Sequence, residues 1–343
     1  MSMSRFVVLA INSFNHIENK TGNMLIRYRQ NEVVAVIDPE KEGLTSKDVI
    51  GIGESIPVVE SFNDAKKYHP DHLVIGNAPQ GGIVSKHMYL EIEEAIKNGI
   101  NIISGMHQFL SEDKYLKDLA KEHGSSIVDL RKPPDPPNFS KGSWINRNTP
   151  VALVVGTDCD TGKMTTAWEI KTRLNELGKN VEFIGTGQTG ILLSDGVAID
   201  AVVSDFVSGE VENLIDRKIK KETDLVIVEG QGALSNYAYS GVTLGLIHGC
   251  MPDYFILTHD PSRSKDVMGQ PLPKIKEFMQ LHIDLMSPFK KTSFLGINLL
   301  TYEMNEKEAS NITSDFETVY NLPTTDLIRF GDTGLIKSVY NLI

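Results

Sequence analysis

Val151-Ala-Leu-Val-Val155 is an all-apolar run. It leads directly into Gly156-Thr-Asp-Cys-Asp-Thr-Gly-Lys-Met-Thr-Thr166 and then into a helical pattern over Ala167–Leu177. A continuous apolar run is what a strand buried on both faces of a parallel sheet requires. Strand, glycine loop and helix in that order are the context of a phosphate-binding P-loop. Gly162 lets the backbone approach an anion, the N–H groups at the helix start have no partner within the helix, and Lys163 adds a positive charge. Few features constrain a fold as tightly, because each part needs the sheet edge behind it.

The spacing departs from the usual motif. Five residues separate Gly156 from Gly162 where four are usual, so Thr157 holds the first position. Met164 follows Lys163 where a Ser or Thr normally holds Mg²⁺, and a thioether is a poor magnesium ligand. Thr165 lies one residue on, about 100° further around a helix. The cradle, Gly156 to Thr165 with Thr157, Asp158, Cys159, Asp160 and Thr161 between, is expected to bind phosphate. Its metal site is in doubt. Leu225-Val-Ile-Val-Glu-Gly230 supplies a matching acidic strand end. Glu229 there is a candidate base, holder of a metal-bound water, or orienter of a substrate amine.

Strands are expected upstream at Phe6–Ile11, Val33–Ile37, Leu73–Ile75, Asn101–Ile103 and Ile127–Val128. Helices are expected at Phe62–Tyr68, Lys86–Asn98 and Ser111–His123, the last capped by Ser111. Such alternation means a parallel sheet with helices on both faces. The first strand continues as Asn12-Ser-Phe-Asn-His-Ile17 with no Gly-x-Gly-x-x-Gly, so no pyrophosphate approaches it as in NAD enzymes. Asp38, before Pro39, reads as structural, and Gly81-Gly82 as either an anion nest or a tight turn. Lys132-Pro-Pro-Asp-Pro-Pro-Asn-Phe-Ser-Lys-Gly142 interrupts helix and strand alike. The expected division is a domain over 1–131, a semi-rigid linker over 132–150 and the P-loop domain over 151–343. In the latter, strands are expected at Val151–Val155, Val181–Ile184, Leu225–Val228, Tyr254–Leu257 and Phe294–Ile297. Helices are expected at Lys163–Leu177, Glu210–Lys221, Pro273–His282 and Glu306–Asn321.

Forty-five acids against 34 bases give a net charge of −11, which argues against nucleic acid and anionic lipid as partners. No apolar run reaches the roughly 20 residues that cross a bilayer, and Met1–Ile11 reads as a strand, not a signal peptide. Two cysteines far apart, Cys159 and Cys250, fit a reducing cytoplasm better than a disulfide scaffold.

Further candidates gather at strand ends. Gly185-Thr-Gly-Gln-Thr-Gly190 offers Thr186, Gln188 and Thr189 as cleft-lining donors. Asp205 and Glu210 flank Ser208-Gly209, which looks like a helix start, and as a pair are candidates to receive a substrate ammonium. His248, His259 and Arg263 cluster around the fourth strand of the second half. Either histidine is a candidate general base, and Arg263 a candidate to grip a carboxylate bidentately. Asn298 ends the fifth strand, a place for reading an adenine. No His/Cys spacing matches a zinc site.

Gly156-Thr-Asp-Cys-Asp-Thr-Gly-Lys163 with Val228-Glu-Gly230 resembles the dethiobiotin synthetase type of P-loop domain, in which Asp158 and Glu229 match metal-site positions and Met164 matches nothing. A second resemblance covers nearly the whole chain. Ile75-Gly-Asn-Ala-Pro-Gln-Gly-Gly82, the Gly-Lys-Met-Thr165 loop, Asp205-Phe-Val-Ser-Gly-Glu210, Val228-Glu-Gly-Gln231, His248-Gly-Cys-Met-Pro-Asp253 and Asp326-Leu-Ile-Arg-Phe-Gly331 are similar to a two-domain family long of unknown function. That family includes D-glutamate N-acetyltransferases. The resemblance implies an α/β protein of two parallel-sheet domains, a Rossmann-like N-terminal half and a P-loop NTPase-type C-terminal half.

It also implies N-acetyl transfer from acetyl-CoA to a D-amino acid, with the P-loop holding phosphates. Acyl transfer needs a general base and oxyanion donors and no Mg²⁺, which suits Met164. The alternative is an ATP/Mg²⁺-dependent synthetase, with Asp158 and Glu229 around the metal. A nucleotide-gated sensor or metallochaperone is a third reading. The expected partner is a small amino acid, and the expected assembly a homo-oligomer.

Overall fold

The computed structural model of the chain describes residues 3–77, 81–331 and 334–343. Two units emerge, one running to Lys132 with Ile191–Leu193, the other formed by Pro133–Gly190 and Ser194–Ile343. In the first unit the strands are β1 (Phe6–Leu9), β2 (Val33–Ile37), β3 (Val58–Val59), β4 (His72–Ile75), β5 (Asn101–Ser104) and β6 (Ile127–Asp129). They form one parallel sheet in the order β3-β2-β1-β4-β5-β6. Its helices are α1 (Lys20–Tyr28), α2 (Ser46–Ile50), α3 (Phe62–Ala65), α4 (Lys86–Lys97) and α5 (Lys114–His123). This is the Rossmann order, whose direction reverses between β1 and β4.

The usual nucleotide grip is absent from the first turn. The buried Asp38 carboxylate accepts from the amides of Asn12 (3.1 Å), Phe14 (2.9 Å) and Glu40 (3.1 Å). It therefore ties the β1–α1 turn to the end of β2. Gly81 and Gly82 both adopt left-handed backbone (φ +86° and +61°), and Ala78–Gln80 of the same motif lie outside the described residues. The expected cap at Ser111 is corrected. Asp129 takes the amides of Leu110 and Ser111 (3.0 and 2.9 Å), and Asp113 caps α5 through the amide of Leu116 (3.1 Å). Helices α1 and α2 were not expected; α1 carries Thr21, Gly22 and Asn23, which are weak helix formers.

The second unit holds β7 (Val151–Gly156), β8 (Val181–Ile184), β9 (Leu225–Val228), β10 (Tyr254–His259), β11 (Ser293–Leu299) and β12 (Thr324–Thr325). These also pair in parallel, in the order β12-β11-β10-β7-β9-β8. The helices are α6 (Lys163–Glu176), α7 (Gln188–Leu193), α8 (Ser204–Lys218), α9 (Ser240–Cys250), α10 (Ile275–Met286), α11 (Glu306–Tyr320), α12 (Leu327–Phe330) and α13 (Gly334–Tyr340). Strand β7 is buried throughout, and its register sets Gly156 beside Thr258 at the end of β10. Apolar cores cover both faces of the sheet. Among the described residues no helix is long and apolar enough to cross a membrane.

The expected linker over 132–150 is seated on α8 from Asn138 onward. Glu210 accepts from the amide and side chain of Asn138 (2.5 and 3.0 Å). Glu212 accepts from the amides of Lys141 (2.6 Å) and Ser143. Buried carboxylates take such bonds because the alternative, an unpartnered charge out of water, is costly. Helix α8 begins at Ser204, not near Ser208-Gly209, so Asp205 and not Glu210 is its first-turn acid.

His282 on α10 is fully buried among Phe255, Phe278 and Phe294, with Nδ1 2.8 Å from the Phe278 carbonyl. Burial pushes its pKa down to about 4. The unfolded chain binds a proton there below about 6.5 that the folded chain refuses, so stability is present above that pH and is lost as pH falls toward 4. The full effect is on the order of 3 kcal/mol. In urea titrations from pH 7 to pH 4, His282→Leu is expected to flatten the acid loss; an unchanged pH dependence would contradict this.

Candidate functional site

The site is assembled at the carboxyl edge of the second sheet, around the loop joining β7 to α6. Two neighbours fix that loop. The Thr157 amide donates to the Thr258 carbonyl (3.1 Å), and the Thr161 hydroxyl pairs with that of Thr258 (2.7 Å). The Ser235 hydroxyl donates to the Thr157 carbonyl (3.2 Å). Gly162 closes the loop in the left-handed conformation (φ +87°), which a side chain would strain, and stands as the N-cap of α6. The loop is therefore preformed around the first turn of α6.

Lys163 is 8% exposed, and its Nζ rests 2.6 Å from the Asp158 carbonyl oxygen. Among the described residues no carboxylate lies within ion-pair distance of that ammonium. Burial lowers its pKa, while Cys159, Asp160, Asp158 and Glu229 oppose the shift from farther off. A buried cation facing a helix start without a counterion is a site that favours an anion. Met164 packs against the apolar core on its face of the sheet, Asp160 is exposed with φ +61°, and Cys159 and Thr165 are half-buried.

Glu229 follows β9 and is 4% exposed. Its Oε2 accepts from the amides of Thr186 (2.9 Å) and Gly187 (3.3 Å), and its Oε1 from the Gln231 side chain (3.3 Å). A Cβ at Gly190 would strike that carboxylate, which is why α7 passes so close. Burial raises the Glu229 pKa to about 7, against the lowering effect of the two amides and of Lys163. Thr186 is spent on Glu229, since its hydroxyl also donates to the Glu229 carbonyl (2.7 Å). Gln188 and Thr189 begin α7, half-buried at the same edge.

His259 ends β10 with Nδ1 2.9 Å from the Thr157 hydroxyl and its ring stacked on Phe316 at 5.6 Å. Burial lowers its pKa to about 4, with Asp260 opposing and Arg263 adding to the shift, so it is neutral at pH 7.

Several candidates stand elsewhere or are already engaged. His248 lies in the last turn of α9. That helix runs back toward the amino edge of the sheet, where Asp253 donates to the Val151 carbonyl (2.9 Å). His248 therefore packs edge-on against Phe289, at the edge opposite the P-loop. Strand-edge reasoning misplaced it because α9, rich in glycine and β-branched residues, was not read as a helix. Glu210 is consumed by Asn138, and Asp205 is exposed on the first turn of α8, so they form no ammonium-binding pair. Asn298 is buried and engaged at each amide end, donating to the Thr166 hydroxyl and accepting from the Leu327 amide (both 2.9 Å). Arg263 pairs with Asp158 and donates to the Cys159 carbonyl (2.9 Å). The sequence reading missed Asn236, whose side chain donates to Asp158 (2.9 Å). Its signal was position alone, a polar residue shortly after a functional strand end.

Residues 138–336 match the family described as "Domain of unknown function (DUF1611_C) P-loop domain", and residues 39–133 match "Domain of unknown function (DUF1611_N) Rossmann-like domain". The chain belongs to this two-domain family. It is 34% identical over 285 residues to a Pseudoalteromonas sp protein named D-glutamate N-acetyltransferase, covering 81% of this chain and 84% of that one. A protein of the same name from Tritonibacter scottomollicae is 34% identical over 295 residues, covering 84% and 87%. The crystal structure of a DUF1611 family protein from Anabaena variabilis ATCC 29413 is similar with a TM-score of 0.93 at 33% identity, over 98% of this chain and 99% of that one.

The neighbouring ammonium holds the Glu229 pKa down, so Lys163→Met is expected to raise it above about 7. A carboxyl carbon NMR titration of glutamate-labelled protein reads this directly, and an unmoved resonance would separate the two groups.

Proposed function

We propose that this DUF1611 family member transfers an acetyl group from acetyl-CoA to the amine of a D-amino acid, D-glutamate first among candidates. The observation that carries the reading is the buried Lys163 ammonium at the start of α6, which has no carboxylate partner among the described residues. Acetyl-CoA supplies the acetyl group as a thioester. Lys163 and the backbone amides of Gly162 to Thr165 are suited to hold its phosphates, since they offer fixed donors and positive charge. The names of relatives 34% identical over more than four-fifths of the chain support the acetyltransferase class.

The chain's own residues then divide the proton work. An amino acid's ammonium must lose a proton before its nitrogen attacks a carbonyl carbon. Glu229, with its pKa at about 7, is half ionised near neutrality and fits the role of base better than His259 at about 4. That first proton passes on to solvent; the second, shed by the nitrogen as the carbon–nitrogen bond forms, is taken up at Glu229 and given to the departing sulfur as the carbon–sulfur bond breaks. His259 serves as a neutral neighbour, oriented by the Thr157 hydroxyl. Gln188 and Thr189, at the start of α7, are the remaining candidates for substrate contact.

Thiol release from acetyl-CoA in the presence of D-glutamate, without nucleotide, tests the reading. The rate is expected to rise with pH through about 7 as Glu229 ionises. Glu229→Gln is expected to lower kcat by roughly 10²–10⁴-fold and to remove that step from the profile. ADP formation from ATP without thiol release would overturn the proposal, as would a Glu229→Gln enzyme of full activity.

A further inference from the structure

We infer that Asp158 is a pin holding a surface loop onto the P-loop rather than a magnesium ligand, and that the P-loop takes its phosphate without a divalent cation. The second half of this statement rests on the phosphate-cradle reading above; the first does not. The position invites the opposite assignment, because a carboxylate beside a phosphate cradle is an ordinary place for Mg²⁺.

The donors around Asp158 leave no room for that role. Its side chain is fully buried. Oδ1 accepts from Asn236 (2.9 Å), and Oδ2 from the Val267 amide (2.7 Å) and the Arg263 guanidinium. Burial would raise its pKa, but these bonds, with the Cys159 amide, outweigh that and hold it below the ordinary value. A carboxylate has about four lone-pair sites, and four donors face this one. A bound Mg²⁺ needs near-octahedral oxygens at about 2.0–2.1 Å. Here it would have to displace a guanidinium carrying its own charge. The residue after Lys163 offers only the Met164 thioether, directed into the core. Among the described residues no group of three or more metal-binding side chains is placed for an ion.

The same bonds describe what Asp158 does instead. It joins three segments: the P-loop, the stretch after β9 that carries Asn236, and the loop after β10 that carries Arg263 and Val267. That last loop is ordered by its own bonds, with Asp266 accepting from the amides of Met268 (2.9 Å) and Gln270 (2.8 Å), and a bridge between Lys265 and Pro271. Arg263 adds a second tie through the Cys159 carbonyl. Asp158 and Arg263 thus tie this loop to the cradle.

Two measurements on the full chain test this. In limited trypsin digestion, Asp158→Asn and Arg263→Ala are each expected to speed cleavage after Lys265 about tenfold, with the double variant no faster than either single one. Mg²⁺ is expected to change none of these rates. Cleavage unaltered by Asp158→Asn, or fully additive effects, would overturn the pin. In calorimetric titration with acetyl-CoA, and with ADP as a second probe, affinity in EDTA and in Mg²⁺ is expected to agree within twofold. Binding at least tenfold tighter with Mg²⁺, and losing that dependence in Asp158→Asn, would overturn the cation-free claim. Failure of both probes to bind would remove the cradle reading and the cation-free claim with it, while the cleavage pattern still decides the pin.

Discussion

A buried lysine ammonium leaning on a backbone carbonyl is the interaction on which the second unit's arrangement turns. Lys163 sits 2.6 Å from the Asp158 carbonyl, buried, with no carboxylate at ion-pair distance among the described residues. A buried charge in that state is costly unless a ligand completes it. The surrounding elements fix the loop that holds it. Strand β7 is fully buried at the centre of the sheet, the end of β10 ties the loop through Thr258, and Gly162 turns the chain into α6. The same ammonium reaches the proposed base, since it tempers the rise that burial imposes on Glu229.

The two carboxylates at this edge have different lives for a physical reason. Asp158 is saturated by donors that include a guanidinium, and stays a carboxylate below the ordinary range. Glu229 receives neutral amides and the coulombic pull of Lys163, which burial outweighs, so its pKa lies near neutrality. A group poised near the working pH is suited to move a proton, and a saturated one is suited to hold structure. A saturated Asp158 is compatible with the proposed acyl transfer, in which no phosphoryl group migrates.

How much of this was legible beforehand follows from what each signal depends on. The apolar run at Leu225–Val228 coincides with β9, because burial on both faces leaves no polar residue to blur the ends, and β8 keeps its expected bounds although Glu182 interrupts it. The Gly-Lys helix start is equally local. Side-chain partners are not. Nothing near Arg263 in sequence shows that it folds back on Asp158, 105 residues away, and nothing near Asn298 shows that Thr166 and Leu327 take both its amide ends. His248 was misplaced because the direction of α9 decides which sheet edge it reaches. Asn138 and Lys141 looked like spacer because the glutamates that seat them lie some 70 residues on. The parallel sheet of the first unit was legible from alternation, whereas the tie between Asp38 and the amides of the first turn was not.

Lys163 is proposed to hold the phosphates of the acyl donor. A crystal structure of the protein with coenzyme A tests it most directly. The account predicts the diphosphate within hydrogen-bond distance of Lys163 Nζ and the first amides of α6, with no metal ion between phosphate and protein. Coenzyme A bound at another place, with Lys163 still resting on the Asp158 carbonyl, would contradict it.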